Sequence, residues 1–136
     1  MIVDISKEEI KIQIWEKAST EENYDPNLYR KDACGAWMAF EKYGDTSNAY
    51  GWEIDHVFPR AKGGESNLEN LRPMNWQNNR KKGDNYPNYQ REITSEDNRN
   101  IVSEKNLTIN QKLQDTLKSK YGYDKESNDK GTVWDL

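Results

Sequence analysis

The chain has 136 residues, the length of one domain, with 33% apolar residues, 32% charged residues and a formal net charge of -4. A single cysteine, Cys34, excludes an internal disulfide and any zinc site built from paired cysteines, and it reads as a small buried hydrophobe. A mean hydropathy of -1.22 sits near the disordered end of the globular range, but five Trp and eight Tyr supply large apolar areas that can anchor a small core.

The N-terminal stretch MIVDISKEEIKIQIW holds early acids and no apolar run long enough for a signal or a membrane span, so a cytoplasmic protein is expected. Ser6 and Glu9 have the spacing of a capping box, and Ile10, Ile14 and Ala18 recur at helical intervals, predicting a helix from Lys7 to Ala18. Ile10, Ile12 and Ile14 also alternate, which leaves a strand open. Tyr24 to Asp32 reads as a turn or short helix entered at Asp25-Pro26, and Ala36 to Tyr43 as a strand or a short helix.

Tyr50 to Val57 (YGWEIDHV) alternates and is rich in strand formers. A glycine turn follows at Lys62-Gly63-Gly64-Glu65. Asn70 to Trp76 is a second short extended run, edge-like because of Pro73, and Gln77 to Lys82 is a short helix that Gly83 can end. The order is strand, glycine loop, strand, helix. Asn85 to Asn100 is Asn-rich and loop-like, with Tyr86 and Tyr89 placed either to pack or to stack on bases. Thr108 and Gln111 then suggest a cap for a helix carrying Leu113, Leu117 and Tyr121 and ending at Gly122. Beyond it, residues from about 124 to 136 read as a flexible tail, with Trp134 as an anchor.

Charge is unevenly spread. Phe58 to Gly83 holds six basic and two acidic residues (+4), while the remainder holds 14 basic and 22 acidic (-8). A basic island in an acidic chain suits a local phosphate site, with Arg60, Arg80, Lys81 and Lys82 as candidate nucleic-acid contacts; a solvated surface gives the same count.

His56 is the only histidine and directly follows Asp55. Adjacent strand residues point to opposite faces, so the pair can work together where a strand ends or bulges. Neutral imidazole is a good base near pH 7, and Asp55 is a hard oxygen donor for a divalent cation. Asn79 offers a second, neutral oxygen from the helix. Asn70 can brace the intervening loop and so orient His56. Asn75, one helical turn before Asn79, is a possible further ligand, although a helix cap is its favoured reading.

The stretch YGWEIDHVFPRAKGGESNLENLRPMNWQNNRKKGD resembles the HNH endonuclease motif through Asp55-His56, Pro59, Gly63-Gly64, Asn67-Leu68, Asn70-Leu71, Asn79-Arg80 and Lys82-Gly83. With 14 residues from His56 to Asn70 and 9 more to Asn79, it is similar to the Asn-terminated variant found in the nuclease domain of RNA-guided CRISPR effectors and in some phage nucleases. Upstream, YDPNLYRKDACGAW and the lead-in to Asp55 look like small phage and bacterial members.

The resemblance implies an α+β chain forming a single nuclease domain over residues 1–136. Its ββα-metal core would lie at 50–84, flanked by an N-terminal helix and a C-terminal helical extension. It also implies Asp55 and Asn79 as metal ligands, His56 as general base and Asn70 as the middle Asn of the motif. Hydrolysis of DNA would leave 5′-phosphate and 3′-hydroxyl ends. Asn79 stands where many members carry His, which favours Mg²⁺, with Mn²⁺ or Zn²⁺ as alternatives. The framing cysteine pairs of many members are absent, so Trp37, Trp52 and Trp76 are expected to hold the motif by packing. Nucleic acid, most simply DNA, is the expected partner; no membrane is expected. Three alternatives stay open: a nucleic-acid-binding module that does not cut, an effector or toxin nuclease controlled by a protein partner, and RNA as the substrate.

Overall fold

The computed structural model describes residues 1–122, so the expected tail and its Trp134 anchor lie outside the described residues. Among the described residues, three α-helices and three separate two-stranded antiparallel sheets give a mixed α and β architecture. Helix α1 spans Glu8–Trp15. Strands β1 (Tyr29–Lys31) and β2 (Trp37–Ala39) form the first hairpin, and β3 (Trp52–His56) and β4 (Leu71–Asn75) the second. Helix α2 (Trp76–Lys82) follows β4 directly. A long hairpin, β5 (Asn88–Glu96) and β6 (Arg99–Thr108), then leads to α3 (Gln111–Tyr121). Among the described residues no helix is long and apolar enough to cross a membrane.

The helical reading of the N-terminal isoleucines holds. Ile14 is buried and Ile12 is 39% exposed, as a 3.6-residue period requires and alternation does not. The capping box does not form. Ser6 donates its hydroxyl to Asp4 Oδ1 instead (2.6 Å), and Lys7 occupies the cap position without a side-chain bond. At the other end of the chain Asn110, rather than Thr108, caps α3 by accepting from Leu113 N (2.8 Å). Gly122 closes that helix in the left-handed region at φ 61°.

The loop-like reading of Asn85 to Asn100 is overturned by β5 and β6. Only Tyr89 and Ile93 of β5 are buried, too few apolar positions to mark a strand, and the register shift opposite Arg91 and Ile93 places an extra residue on β6, which interrupts its alternation. The two-residue turn Asp97-Asn98 is entered at φ 55°, a conformation Asp tolerates.

Two apolar clusters flank the β3–β4 hairpin. Trp52 is fully buried, with ring centroids 5.1 Å from Trp15 and 4.8 Å from Tyr43, and Met38 packs in the same cluster. Val57, Phe58 and Met74 join Cys34, Tyr89, Ile109 and Leu117 in the second. Burial pushes the Cys34 thiol up to about 12, so it stays a protonated hydrophobe. Aromatic packing thus brackets the hairpin on both sides; Trp37 and Trp76 contribute indole N–H bonds to Asp97 O (2.7 Å) and Asn48 O (2.9 Å).

Helix α2 is docked by polar residues. Asn75 is its cap: Oδ1 accepts from Gln77 N (2.9 Å), while Nδ2 donates to Trp37 O and Ala49 O. Asn78 accepts from Glu92 N and Ile93 N and donates to Ile93 O and Asp32 Oδ2. Asp32 is buried, which raises its pKa, and it also accepts from Cys34 N, Ala36 N and Asn75 N. A buried acid receiving four donors ties the first hairpin to the start of α2.

Candidate active site

The site is built on the end of β3, the loop that follows and the outer face of α2. Asp55 lies opposite Arg72 in the β3–β4 register, and His56, the last residue of β3, lies opposite Leu71. The strand ends at the pair without a bulge. Both residues border a cleft of about 230 Å³ that Arg60, Asn79, Gly83 and Asp84 also line. Asp55 and Asn79, 24 positions apart in sequence, are brought to one place by the hairpin and helix.

The loop from Phe58 to Glu65 is wrapped on Asn70. Its side chain, fully buried, accepts from Phe58 N (2.7 Å) and donates to Phe58 O (3.0 Å) and Glu65 O (3.1 Å). Its carbonyl accepts from Val57 N (2.9 Å), so Asn70 grips the residues just after His56 from two directions. Glycine is required where this wrap is tightest. A Cβ on Gly64 would stand 1.8 Å from Phe58 O and 3.0 Å from Asn70 Nδ2.

His56 is half-buried and its Nε2 lies 3.0 Å from Ser66 Oγ. Arg60 Nη2 donates to the same oxygen (3.3 Å). Burial lowers the His56 pKa from its ordinary 6.5; Arg60 and Lys82 add to the effect and Asp55 opposes it. The imidazole is therefore neutral at neutral pH, the form that can take up a proton. Ser66, only 7% exposed, is a site residue the sequence reading passed over.

Asp55, 4% exposed, accepts from Arg72 Nε at Oδ2 (2.9 Å) and pairs through Oδ1 with Lys82 Nζ (3.3 Å). Arg72 stands over the Tyr89 ring (5.3 Å), and its buried Nη2 meets no hydrogen-bond acceptor among the described residues. Tyr89 thus packs beneath the site, and Tyr86 packs edge-on to Phe58 (5.2 Å).

The expectation that Lys82 contacts phosphate is corrected. Its side chain is fully buried, and Nζ donates to Val57 O (3.1 Å) and His56 O (3.4 Å) as well as pairing with Asp55. Asn75, Asn78 and Lys82 form the inward stripe of α2, so the ammonium serves the interior. Lys81 lies away from the cleft between Glu92 and Glu104 (3.4 Å each). Arg80 is exposed, but its guanidinium forks onto Glu53. Arg60 alone of the four predicted contacts lines the cleft.

Asn79 donates from Nδ2 to Glu53 Oε1 (3.0 Å), and no donor meets its Oδ1 among the described residues. Burial pushes the Glu53 pKa up, but the bonds from Arg80 and Asn79 outweigh it and hold the carboxyl below its ordinary value. Glu53 was also missed in the sequence, as was Asp84 at the cleft wall.

The donor set suits a hard cation. The cleft offers the Asp55 carboxylate, which also pairs with Arg72 and Lys82, and the Asn79 amide oxygen; among the described residues no group of three His, Cys, Asp or Glu side chains gathers, at this cleft or elsewhere. One carboxylate and few protein ligands, with water completing the shell, is the manner in which Mg²⁺ is commonly held.

Comparison with known proteins gives one result. Residues 38–85 match the family model described as HNH endonuclease. No curated protein and no solved structure matches the chain. The matched stretch runs from β2 to the turn after α2 and contains every cleft residue named above, so what residues 38–85 are similar to is an HNH endonuclease domain.

Proposed function

We propose that the chain hydrolyses DNA phosphodiester bonds, with His56 as general base and one divalent cation, Mg²⁺ foremost, held by Asp55 and Asn79 in a ββα-metal core. The observation that carries this reading is the convergence of Asp55, His56 and Asn79 on one cleft. When bound there, a cation supplies neutralising charge for the phosphate and the departing oxygen. The chain's own residues do the rest. His56, neutral because of its burial and the nearby cations, takes a proton from the attacking water at Nδ1, since Nε2 is held by Ser66. Asn70 fixes the loop that carries Pro59 and Arg60, and Arg60 places a positive charge at the cleft wall for phosphate. The products are 5′-phosphate and 3′-hydroxyl ends.

Binding by the chain alone is weak in this reading. Of the six cations in the basic island, Arg72 and Lys82 serve Asp55, and Arg80 and Lys81 are matched by carboxylates. Arg60 and Lys62 remain for phosphate, which favours delivery of the substrate by a protein partner or a particular nucleic-acid structure. The test is cleavage of supercoiled plasmid with Mg²⁺, Mn²⁺ or EDTA, wild type beside His56→Ala. Metal-dependent nicking that the substitution abolishes supports the reading. Equal nicking by both proteins, or none with any metal while DNA is still bound, overturns it, the second outcome favouring a binding module.

A further inference from the structure

We infer that Glu53 is a positioning residue that decides which end of the Asn79 amide is available to a cation; the inference rests on the metal centre proposed above. An amide is a ligand through oxygen and useless through its NH₂. Asn79 sits on a helix surface where rotation about its last bond exchanges the two ends. What settles the choice is the neighbour. Glu53 carries a carboxylate, which only accepts. It receives Arg80 Nη2 at Oε2 (2.8 Å) and Arg80 Nε at Oε1 (3.4 Å), and Oε1 is also 3.0 Å from Asn79 Nδ2. The nitrogen of Asn79 must therefore face Glu53, and Oδ1 is turned away from it as the end that meets no donor among the described residues. Arg80 completes the device by holding the carboxylate in a two-point fork. The order of parts is Arg80 on Glu53, Glu53 on Asn79, and the Asn79 oxygen free for the cleft.

The arrangement predicts what a near-isosteric change does. In Glu53→Gln, Arg80 still has only donors, so the glutamine turns its oxygen to Arg80 and its NH₂ to Asn79. Asn79 answers by presenting Oδ1 to Gln and its NH₂ to the other side, where it cannot ligate. An aspartate at 79 has no such polarity. One of its oxygens accepts from the glutamine NH₂ and the other stays available, so Asn79→Asp should restore the site in the Glu53→Gln background.

The experiment is calorimetric titration of the full chain with Mn²⁺ alone, for wild type, Asp55→Asn, Glu53→Gln and the Glu53→Gln/Asn79→Asp double variant. Urea unfolding is run in parallel on each. Arg80 is exposed and Glu53 half-buried, so the pair contributes modestly to stability, and Glu53→Gln, which keeps the size of the side chain, should unfold near the wild-type midpoint. Its Mn²⁺ Kd should rise by about tenfold or more, the usual consequence of losing a partner that orients a ligand, and the double variant should recover most of that loss. Wild-type Mn²⁺ affinity in Glu53→Gln, with Asp55→Asn still abolishing binding, overturns the role of Glu53 alone. A double variant that binds no better than Glu53→Gln also overturns it. Absence of Mn²⁺ binding by the wild type, or binding indifferent to Asp55→Asn, overturns the metal centre itself and the inference with it.

Discussion

Ser66 Oγ lies 3.0 Å from His56 Nε2 and 3.3 Å from Arg60 Nη2. Guanidinium can only donate, so one lone pair of Ser66 is committed to Arg60; the second can accept from His56 Nε2–H, which leaves the lone pair of the ring on Nδ1. Ser66→Ala removes the one side-chain partner of the imidazole among the described residues. A hydrogen bond of this kind contributes roughly 0.5–1.5 kcal/mol, so single-turnover DNA cleavage should slow by up to about tenfold. Mn²⁺ affinity should not change, because Ser66 is not among the cleft's oxygen donors. Unaltered cleavage in Ser66→Ala would show that the ring is oriented by packing alone.

The acid limb of the pH–rate profile should lie below the ordinary imidazole value of 6.5. The sign follows from the form required. His56 must be neutral to accept a proton, and burial with the Arg60 and Lys82 charges disfavours its cation, so activity persists until pH falls through the lowered value. Stability follows the same window: below 6.5 the unfolded chain takes up the proton first, and the contribution of neutral His56 is lost as pH falls to the folded value. Arg60→Gln removes one of the cations, raises the His56 pKa and should move the acid limb toward higher pH. Single-turnover rates between about pH 5 and 8 provide the check. A limb that stays in place or moves down in Arg60→Gln would mean that His56 is not the titrating base.

Asn70 is a stability residue before it is anything else. Its three side-chain bonds to Phe58 N, Phe58 O and Glu65 O are made with zero exposure. Asn70→Ala leaves those backbone groups unpaired in the interior, at a cost of about 2–4 kcal/mol. Asn70→Asp should be at least as harmful. It keeps the acceptor for Phe58 N but sets a carboxylate oxygen against two carbonyls that had received NH₂. Urea midpoints of the two variants decide this; an Asp variant clearly more stable than the Ala variant would contradict the assigned bonds.

The hairpin and helix around His56 were legible because Tyr50 to Val57 alternates, a glycine pair marks the turn and Gly83 marks the end. The long β5–β6 hairpin was not, since its bulge breaks the alternation and its faces are largely polar. The inward side of α2 was hidden for a related reason. Periodicity is sought in apolar residues, and here the stripe that faces inward is Asn75, Asn78 and Lys82, all with zero exposure. Three consecutive cations, Arg80 to Lys82, look alike in sequence, and docking alone distinguishes the exposed one, the paired one and the buried one. Ser66 and Glu53 depend on contacts across a loop and between a strand and a helix, so no local pattern marks them. Arg72 would have been legible as the partner of Asp55 once the strand register was known.

The burial of Lys82 makes a prediction about salt that separates it from Arg60. A cation that contacts phosphate releases counterions, and its removal lowers the slope of log K against log salt by about one. Arg60 lines the cleft, so Arg60→Gln should reduce the slope for DNA binding by about that amount. Lys82 is enclosed with Asp55, Val57 O and His56 O, out of reach of a phosphate. Lys82→Met should leave the slope unchanged and instead lower stability by about 3 kcal/mol, because a buried carboxylate oxygen and two carbonyls lose their donor. DNA binding by fluorescence anisotropy across a salt series, with thermal unfolding of the same samples, reads both effects. A reduced slope with unchanged stability in Lys82→Met would place Lys82 at the surface, and the buried pair with Asp55 could not then be what holds that carboxylate beneath the cleft.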